Sequence, residues 1–188
     1  MPKAKTAATQ LGRLKANDPA TGDVTVVIES PRGSPHKYTY DPDIGAFRLA
    51  AILPEGITFP FDFGFVPSTR GEDGDPLDVL VLLDYPVPIG CVLTVRLIGV
   101  IKAEQRERDG EWVQNDRLLG VATHAHAHSV TTNLEALRPG LLDELEAFFA
   151  HYNQLRGKEF RPLARGGPKK ADKAVHRGMK LYIGSKGS

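Results

Sequence analysis

The sequence predicts an α+β fold, mainly β: a small closed barrel of short strands with helical packing on its outside. Two observations carry that expectation. Short β-branched runs separated by Gly and Pro turns fill the first part of the 188 residues. The apolar period then changes to a helical i, i+3, i+4 stripe. The length suits one domain, 1–188, with a single substantial core.

Residues 24–29 (Val-Thr-Val-Val-Ile-Glu) form a β-branched run that stops at Ser30-Pro31-Arg32-Gly33. Residues 37–40 alternate and end at the turn Asp41-Pro42-Asp43-Ile44-Gly45, and residues 47–53 read as a third strand closed by Pro54-Glu55-Gly56. The continuous apolar run 79–83 suits a strand buried on both faces. Residues 91–102 are another long strand candidate, and Trp112-Val113 and residues 118–122 bracket the polar segment 114–117. Leu141, Leu142, Leu145, Phe148, Phe149, Tyr152 and Leu155 then define one face of a helix, with Pro139 near its start and Gly157 just past its end.

Hydrophobic residues at 41% and charged residues at 25% are ordinary for a globular domain, and a net charge of +1 gives no reason to expect nucleic acid or a membrane surface as partner. No run approaches the roughly 18 apolar residues of a membrane span. Cys91 is the only cysteine, so an intrachain disulfide is excluded and a reducing cytoplasm is the natural setting. Residues 1–17 carry Lys3, Lys5, Arg13 and Lys15 without an acid, and residues 165–188 carry Lys169, Lys170, Lys173, Arg177 and Lys180. Segments 1–20 and 165–188 are therefore expected to be flexible or peripheral termini, the second a solvated tail or short terminal helix.

The chemistry is concentrated in Gly71-Glu72-Asp73-Gly74-Asp75-Pro76-Leu77-Asp78, immediately before the most apolar strand. Asp73 and Asp75 are two apart, so in an extended segment they point the same way. Pro76 stiffens the chain, and no basic residue lies between Gly71 and Asp84. Like charges this close to a dry core cost several kcal/mol unless a cation compensates them. Oxygen-only donors favour a hard ion such as Mg²⁺ or Mn²⁺. An exposed acidic turn is the other reading of the same residues. An EF-hand does not fit, because Leu77 and Asp78 would occupy its fifth ligand and glycine positions.

The run Glu72-Asp73-Gly74-Asp75-Pro76-Leu77-Asp78-Val79 resembles the signature of soluble family I inorganic pyrophosphatases. The resemblance extends through Glu29, Pro35-His36-Lys37-Tyr38, Phe59-Pro60, Gly64-Phe65-Val66-Pro67, Asp84-Tyr85-Pro86, Gly99 and Phe148-Phe149 to Tyr152 and Gly157-Lys158. It implies a five-stranded OB-like β-barrel with a C-terminal amphipathic helix packed outside, several Mg²⁺ ions and a homo-oligomer. It also implies hydrolysis of pyrophosphate, with Asp73, Asp78 and Asp116 holding metals and Asp75 taking the proton of the attacking water. Glu29 would help bind a further metal, and Lys37, Tyr152 and Arg117 would hold phosphate oxygens. Two metals roughly 3.5–4 Å apart would lower the pKa of the attacking water.

The chain departs from that pattern in places. Thr39 replaces a glutamate, Ala51 an arginine (Arg48 is near enough to reach back), Phe63 a tyrosine, Gln105 an aspartate and Asn153 a lysine. The segment Asn115-Asp116-Arg117 carries its acid one residue late, which on a regular strand points Asp116 to the opposite face unless a bulge intervenes. These changes thin the phosphate clamp and outer metal sites and spare the acidic loop. They predict a variant with weaker substrate grip or altered metal number. A hydrolase of another small phosphorylated compound, and a non-catalytic polyanion-binding barrel, are the competing functions. His124, His126 and His128 would share one face of an extended segment and form a transition-metal site, or else sit in a polar loop.

Overall fold

The computed structural model describes Leu11 and residues 14–185. Lys3, Lys5 and Arg13 of the expected loose start lie outside the described residues. In chain order the strands are β1 (Val24–Ser30), β2 (His36–Asp41), β3 (Ala46–Ile52), β4 (Asp62–Val66), β5 (Leu77–Leu82), β6 (Val92–Glu107), β7 (Val113–Gln114), β8 (Arg117–Ala122) and β9 (Lys158–Gly166). Two long helices, α1 (Leu141–Leu155) and α2 (Pro168–Ser185), complete the fold.

Five strands close on themselves: β1, β4, β5, β8 and β6 pair in that order, and β6 pairs back to β1. The OB-like barrel expectation takes this form. Every ring pair is antiparallel except β5 with β8. Closure depends on the 16 residues of β6, which pair in turn with β1, β8 and β9. A register shift between Leu97 and Gly99 bends that strand, as bulges at barrel rims do. Val79, Leu80, Val81 and Leu82 are all buried, and so is the whole of β8, which accounts for the unbroken apolar run. At Gly64 a Cβ would stand 2.1 Å from the Val27 carbonyl oxygen, so β1 and β4 can pair this closely only without a side chain there.

The helix expected over 141–155 forms with those bounds and buries Leu141, Leu145, Phe149 and Tyr152. Its aromatic residues join the ring's own: Phe59 stacks on Phe63 at 5.4 Å, and Phe149 stands 6.2 Å from Phe63 and 5.6 Å from Phe160 on β9.

Of the two readings of the C-terminal segment, solvated tail or terminal helix, the helix forms and is longer than expected. Arg165 belongs to β9, and 168–185 is a helix of 18 residues that buries Ala171, Val175 and Gly178. Its contact face is built of small residues, which is why an apolar stripe of large side chains is absent from the sequence. At the N-terminal end, Ala16 is buried in the core and Asn17 bridges to Val24.

Replacing Phe149 by Ala empties the seam between α1 and the ring and should cost about 3–5 kcal/mol of stability. Urea denaturation followed by far-UV circular dichroism measures it; a loss under about 1 kcal/mol would show that the aromatic cluster does not join helix and ring.

Candidate active site

The acidic loop joins β4 to β5 and is pinned at both ends. Thr69 is buried; its hydroxyl donates to the Val66 carbonyl at 2.6 Å and accepts the Leu77 amide at 3.1 Å. The Gly71 amide reaches the Asp75 carbonyl at 2.7 Å, and Gly74 adopts φ 92°, a left-handed conformation suited to glycine. The Asp73 side chain accepts the Asp75 amide at 3.2 Å, so one carboxylate shapes the turn that presents the next. From behind, α2 holds the loop: the Arg70 amide donates to the Gly178 carbonyl at 3.0 Å, and Arg177 pairs with Glu72.

This loop forms one wall of an open cleft of about 580 Å³. Asp73, Asp75 and Asp78 line it together with Glu29 from β1, Lys37 from β2, Arg117 from β8 and Tyr152 from α1. The structure therefore brings together seven of the nine residues singled out in the sequence. Carboxylates crowd here at a cost. Glu29 is 7% exposed, and its pKa is pushed up to about 7, first by desolvation and further by Asp78 and Asp75. The Tyr40 amide, donating to Glu29 at 2.7 Å, pulls the other way. Asp73 keeps solvent contact at its rim position, yet desolvation of its recessed carboxyl and the charge of Asp78 push it to about 6.

Asp78 is differently placed. The parallel register sets Val79 opposite Leu118, which lays the preceding residues, Asp78 and Arg117, side by side. Arg117 Nη1 stands 2.7 Å from Asp78 Oδ2, and Arg117 is only 5% exposed. Its guanidinium carbon lies 5.0 Å from the centre of the Phe149 ring and 5.3 Å from that of Phe160.

Two expected site residues do not line this cleft. The Asp116 carboxylate accepts from Lys102 Nζ at 2.5 Å, Gln114 Nε2 at 2.8 Å and the Ala103 amide at 3.2 Å. It lines, together with Asp73 and Asp78, a recess of about 50 Å³ between the loop and α2, and Asn115 lines both that recess and the main cleft. The one-residue slip thus has the consequence that alternation along an extended segment dictates. Arg48 does not reach back to the cleft. It sits opposite Thr39 in the β2–β3 hairpin, and its guanidinium turns outward to Asp41 at 2.5 Å, with the side chain 62% exposed.

Several charged and aromatic cleft residues were given no role in the sequence reading. Arg156 lies just past α1 and donates to the Tyr152 hydroxyl at 2.5 Å; Lys158 opens β9 and pairs with Glu107; Tyr182 comes from α2. No spacing rule connects helix ends to a loop some 80 residues earlier, and the one available signal was the Gly157-Lys158 pair. The histidines form no site. Residues 124–128 are turns rather than a strand, and Asp84 accepts the amides of His126 and Ala127 at 2.9 Å each. The polar-loop reading is the one the structure supports.

The donor set fits a hard divalent ion: carboxyls with raised pKa, oxygen only, and no ion-pair partner for Glu29, Asp73 or Asp75 among the described residues. Also among the described residues, no three His, Cys, Asp or Glu side chains close around one point. An ion held here would take one or two protein oxygens and complete its shell with water and phosphate, the usual habit of Mg²⁺.

The family model described as inorganic pyrophosphatase matches residues 26–183. The inorganic pyrophosphatase of Thermus thermophilus is 40% identical over 149 residues, covering 79% of this chain and 82% of that one. The soluble inorganic pyrophosphatase 2 of Chlamydomonas reinhardtii is 37% identical over 170 residues, covering 90% and 85%. The crystal structure of the Thermus thermophilus enzyme superposes with a TM-score of 0.83 at 36% identity, covering 92% of this chain and 98% of that one. With the match running from the first ring strand into the last helix, the chain belongs to the inorganic pyrophosphatase family.

Proposed function

We propose that this chain hydrolyses inorganic pyrophosphate to two phosphates, with Mg²⁺ or another divalent ion such as Mn²⁺ held by Asp73, Asp78 and Glu29. One observation carries the reading: Glu29, Asp73 and Asp75, carboxylates with no ion-pair partner among the described residues, line one cleft with the cations Lys37, Arg156 and Lys158. Acidic and basic side chains lining one cleft suit a polyanion bridged through cations; a plain anion-binding surface has no use for the acids. A bound divalent ion would supply charge neutralisation and a lowered pKa for the attacking water.

The chain's own residues do the rest. Asp75, at the exposed tip of the loop, accepts the proton of the water whose oxygen forms the new bond to phosphorus. The bridging P–O bond breaks, and its electrons leave on the departing phosphate. Lys37 and Arg156 stabilise that phosphate by placing positive charge where the negative charge grows. Tyr152 is buried and stacks on Phe148 at 5.9 Å, so its ring positions the Arg156 guanidinium that donates to its hydroxyl.

A second reading, hydrolysis of another small phosphorylated compound, draws support from the aromatic lining of Tyr40, Phe65 and Tyr182 and from a cleft roomier than pyrophosphate needs. The lone Cys91 supports a cytoplasmic setting. No helix among the described residues is long and apolar enough to cross a membrane. Exposed Leu49, Ile52, Val92 and Val130 support self-association into a homo-oligomer.

Asp75→Asn should lower kcat for pyrophosphate with Mg²⁺ by about 10²–10⁴-fold, the usual range for a lost proton acceptor. Phosphate release is the assay, and no turnover by the wild-type chain with Mg²⁺, Mn²⁺ or Co²⁺ would defeat the proposal. Arg156→Ala should raise KM about tenfold or more, whereas Arg48→Ala should leave both constants within about twofold. An equal effect of the two would remove Arg156 from the clamp.

Glu29 generates a pH dependence. Its folded pKa of about 7 lies above the ordinary 4.5, so the metal-free native state keeps a proton that the unfolded chain releases between those values. Stability of the metal-free protein therefore falls as pH rises from about 4.5 to 7, by on the order of 3 kcal/mol. Glu29→Gln should raise the melting temperature at pH 8 and leave it nearly unchanged at pH 4.5. Equal melting shifts at both pH values would contradict this.

A further inference from the structure

Arg177 is where α2 meets both the acidic loop and the strand segment that faces it. Its guanidinium forks between two elements: Nη2 pairs with Glu72 in the loop, and Nη1 donates to Gln114 Oε1 on β7 at 3.1 Å. With its oxygen taken, the Gln114 amide turns its nitrogen to Asp116 and donates to Oδ2 at 2.8 Å. One residue on, the Gly178 carbonyl accepts the Arg70 amide at 3.0 Å, and a Cβ at Gly178 would stand 2.8 Å from Leu77 Cδ1 and 3.2 Å from Thr69 Cβ. The helix backbone therefore lies directly against the loop, close enough for Arg177 to span both partners. Arg177 also lines the recess that Asp73, Asp78 and Asp116 share, although its ion pair is with Glu72.

These contacts have little to offer as stability. The Arg177 and Glu72 side chains are 56% and 41% exposed, and ion pairs this open to water contribute little to folding. As a bare charge, Arg177 opposes a dication bound nearby, because like charges repel. The fork acts in the other direction, fixing the residue before Asp73 and the residue two before Asp116 against one helix. We infer that Arg177 is a positioning residue for the divalent ion: it ties the acidic loop and the 114–116 segment to α2, and the order this gives the carboxylates outweighs its own repulsion of the ion. The inference rests on the metal-dependent reading above and extends that site to a side chain whose part is orientation.

Mn²⁺ affinity of the metal-stripped full chain without substrate, read by electron paramagnetic resonance of the free ion, separates the two effects by sign. Repulsion alone predicts that Arg177→Met binds Mn²⁺ more tightly than the wild type. Positioning predicts binding weaker by about 10-fold, the lower end for residues that orient metal ligands. Lys173→Met removes the same charge from an exposed site one turn earlier on α2 and should bind no more weakly than the wild type. The double variant Glu72→Gln, Arg177→Gln leaves the net charge unchanged and should still bind about 10-fold more weakly, which covers the case in which Arg177→Met does not fold. Hydrogen exchange across residues 70–78 should quicken in Arg177→Met, while the melting temperature of the metal-free chain moves by no more than about 4 °C. Equal or tighter Mn²⁺ binding by a folded Arg177 variant, equal weakening by Lys173→Met, or a larger melting shift overturns the inference. Phosphate release measured separately keeps the failures apart. A wild type that hydrolyses pyrophosphate while Arg177→Met binds Mn²⁺ normally sinks the positioning role alone. A wild type that binds Mn²⁺ without hydrolysis sinks the proposed function and leaves the affinity comparison standing.

Discussion

Everything at the cleft follows from four carboxylates being forced together at the rim of a dry ring. Glu29, Asp73, Asp75 and Asp78 converge from β1 and from the loop that feeds β5, and the ring strands beneath them supply one compensating charge, Arg117. The molecule relieves this crowding in two ways. On one side a buried guanidinium neutralises Asp78; on the other, Glu29 and Asp73 are driven toward protonation. A buried ion pair gains little net stability against its desolvation. What it gives here is position, because Asp78 and Arg117 share a parallel register and neither can move without the ring.

The second helix has more to do with the site than its place at the end of the chain suggests. It meets the acidic loop through Gly178, where a Cβ would stand 2.8 Å from Leu77 Cδ1, and through the Arg177–Glu72 pair. It also brings Tyr182 to the cleft. The loop is thereby clamped between ring and helix, which limits the freedom of carboxylates that would otherwise splay apart under their own repulsion. Preorganised carboxylates of this kind are what a hard ion needs if it is to bind without paying for loop ordering.

Departures from the family pattern now have physical content. Ala51 lies opposite Lys37 across the β2–β3 hairpin, so an arginine is missing from a position beside a cleft lysine. Phe63 turns into the aromatic core, stacked on Phe59, and Asn153 is spent inside α1 on the Phe149 carbonyl at 2.8 Å. Arg156, a few residues further on, brings positive charge to the same cleft.

The residues alone determined a good deal. The strand candidates up to residue 122, the helix over 141–155 and the acidic loop were all legible, because alternation, the 3.6-residue stripe and clustered charge are local properties of the chain. The strand at Asp62–Val66 was not read as a strand, because its glycine and acid interrupt the pattern and its pairing partners are distant. The last strand was missed because charged and small residues dilute its apolar face, and the last helix was legible only as an alternative to a solvated tail for the same reason. Which of Asn115, Asp116 and Arg117 enters the cleft, where Arg48 points, and that Asp78 meets a cation at all were decided only by the tertiary structure. Each depends on strand register or on a partner far away in sequence, and neither pairing nor register is written in any one segment of the chain.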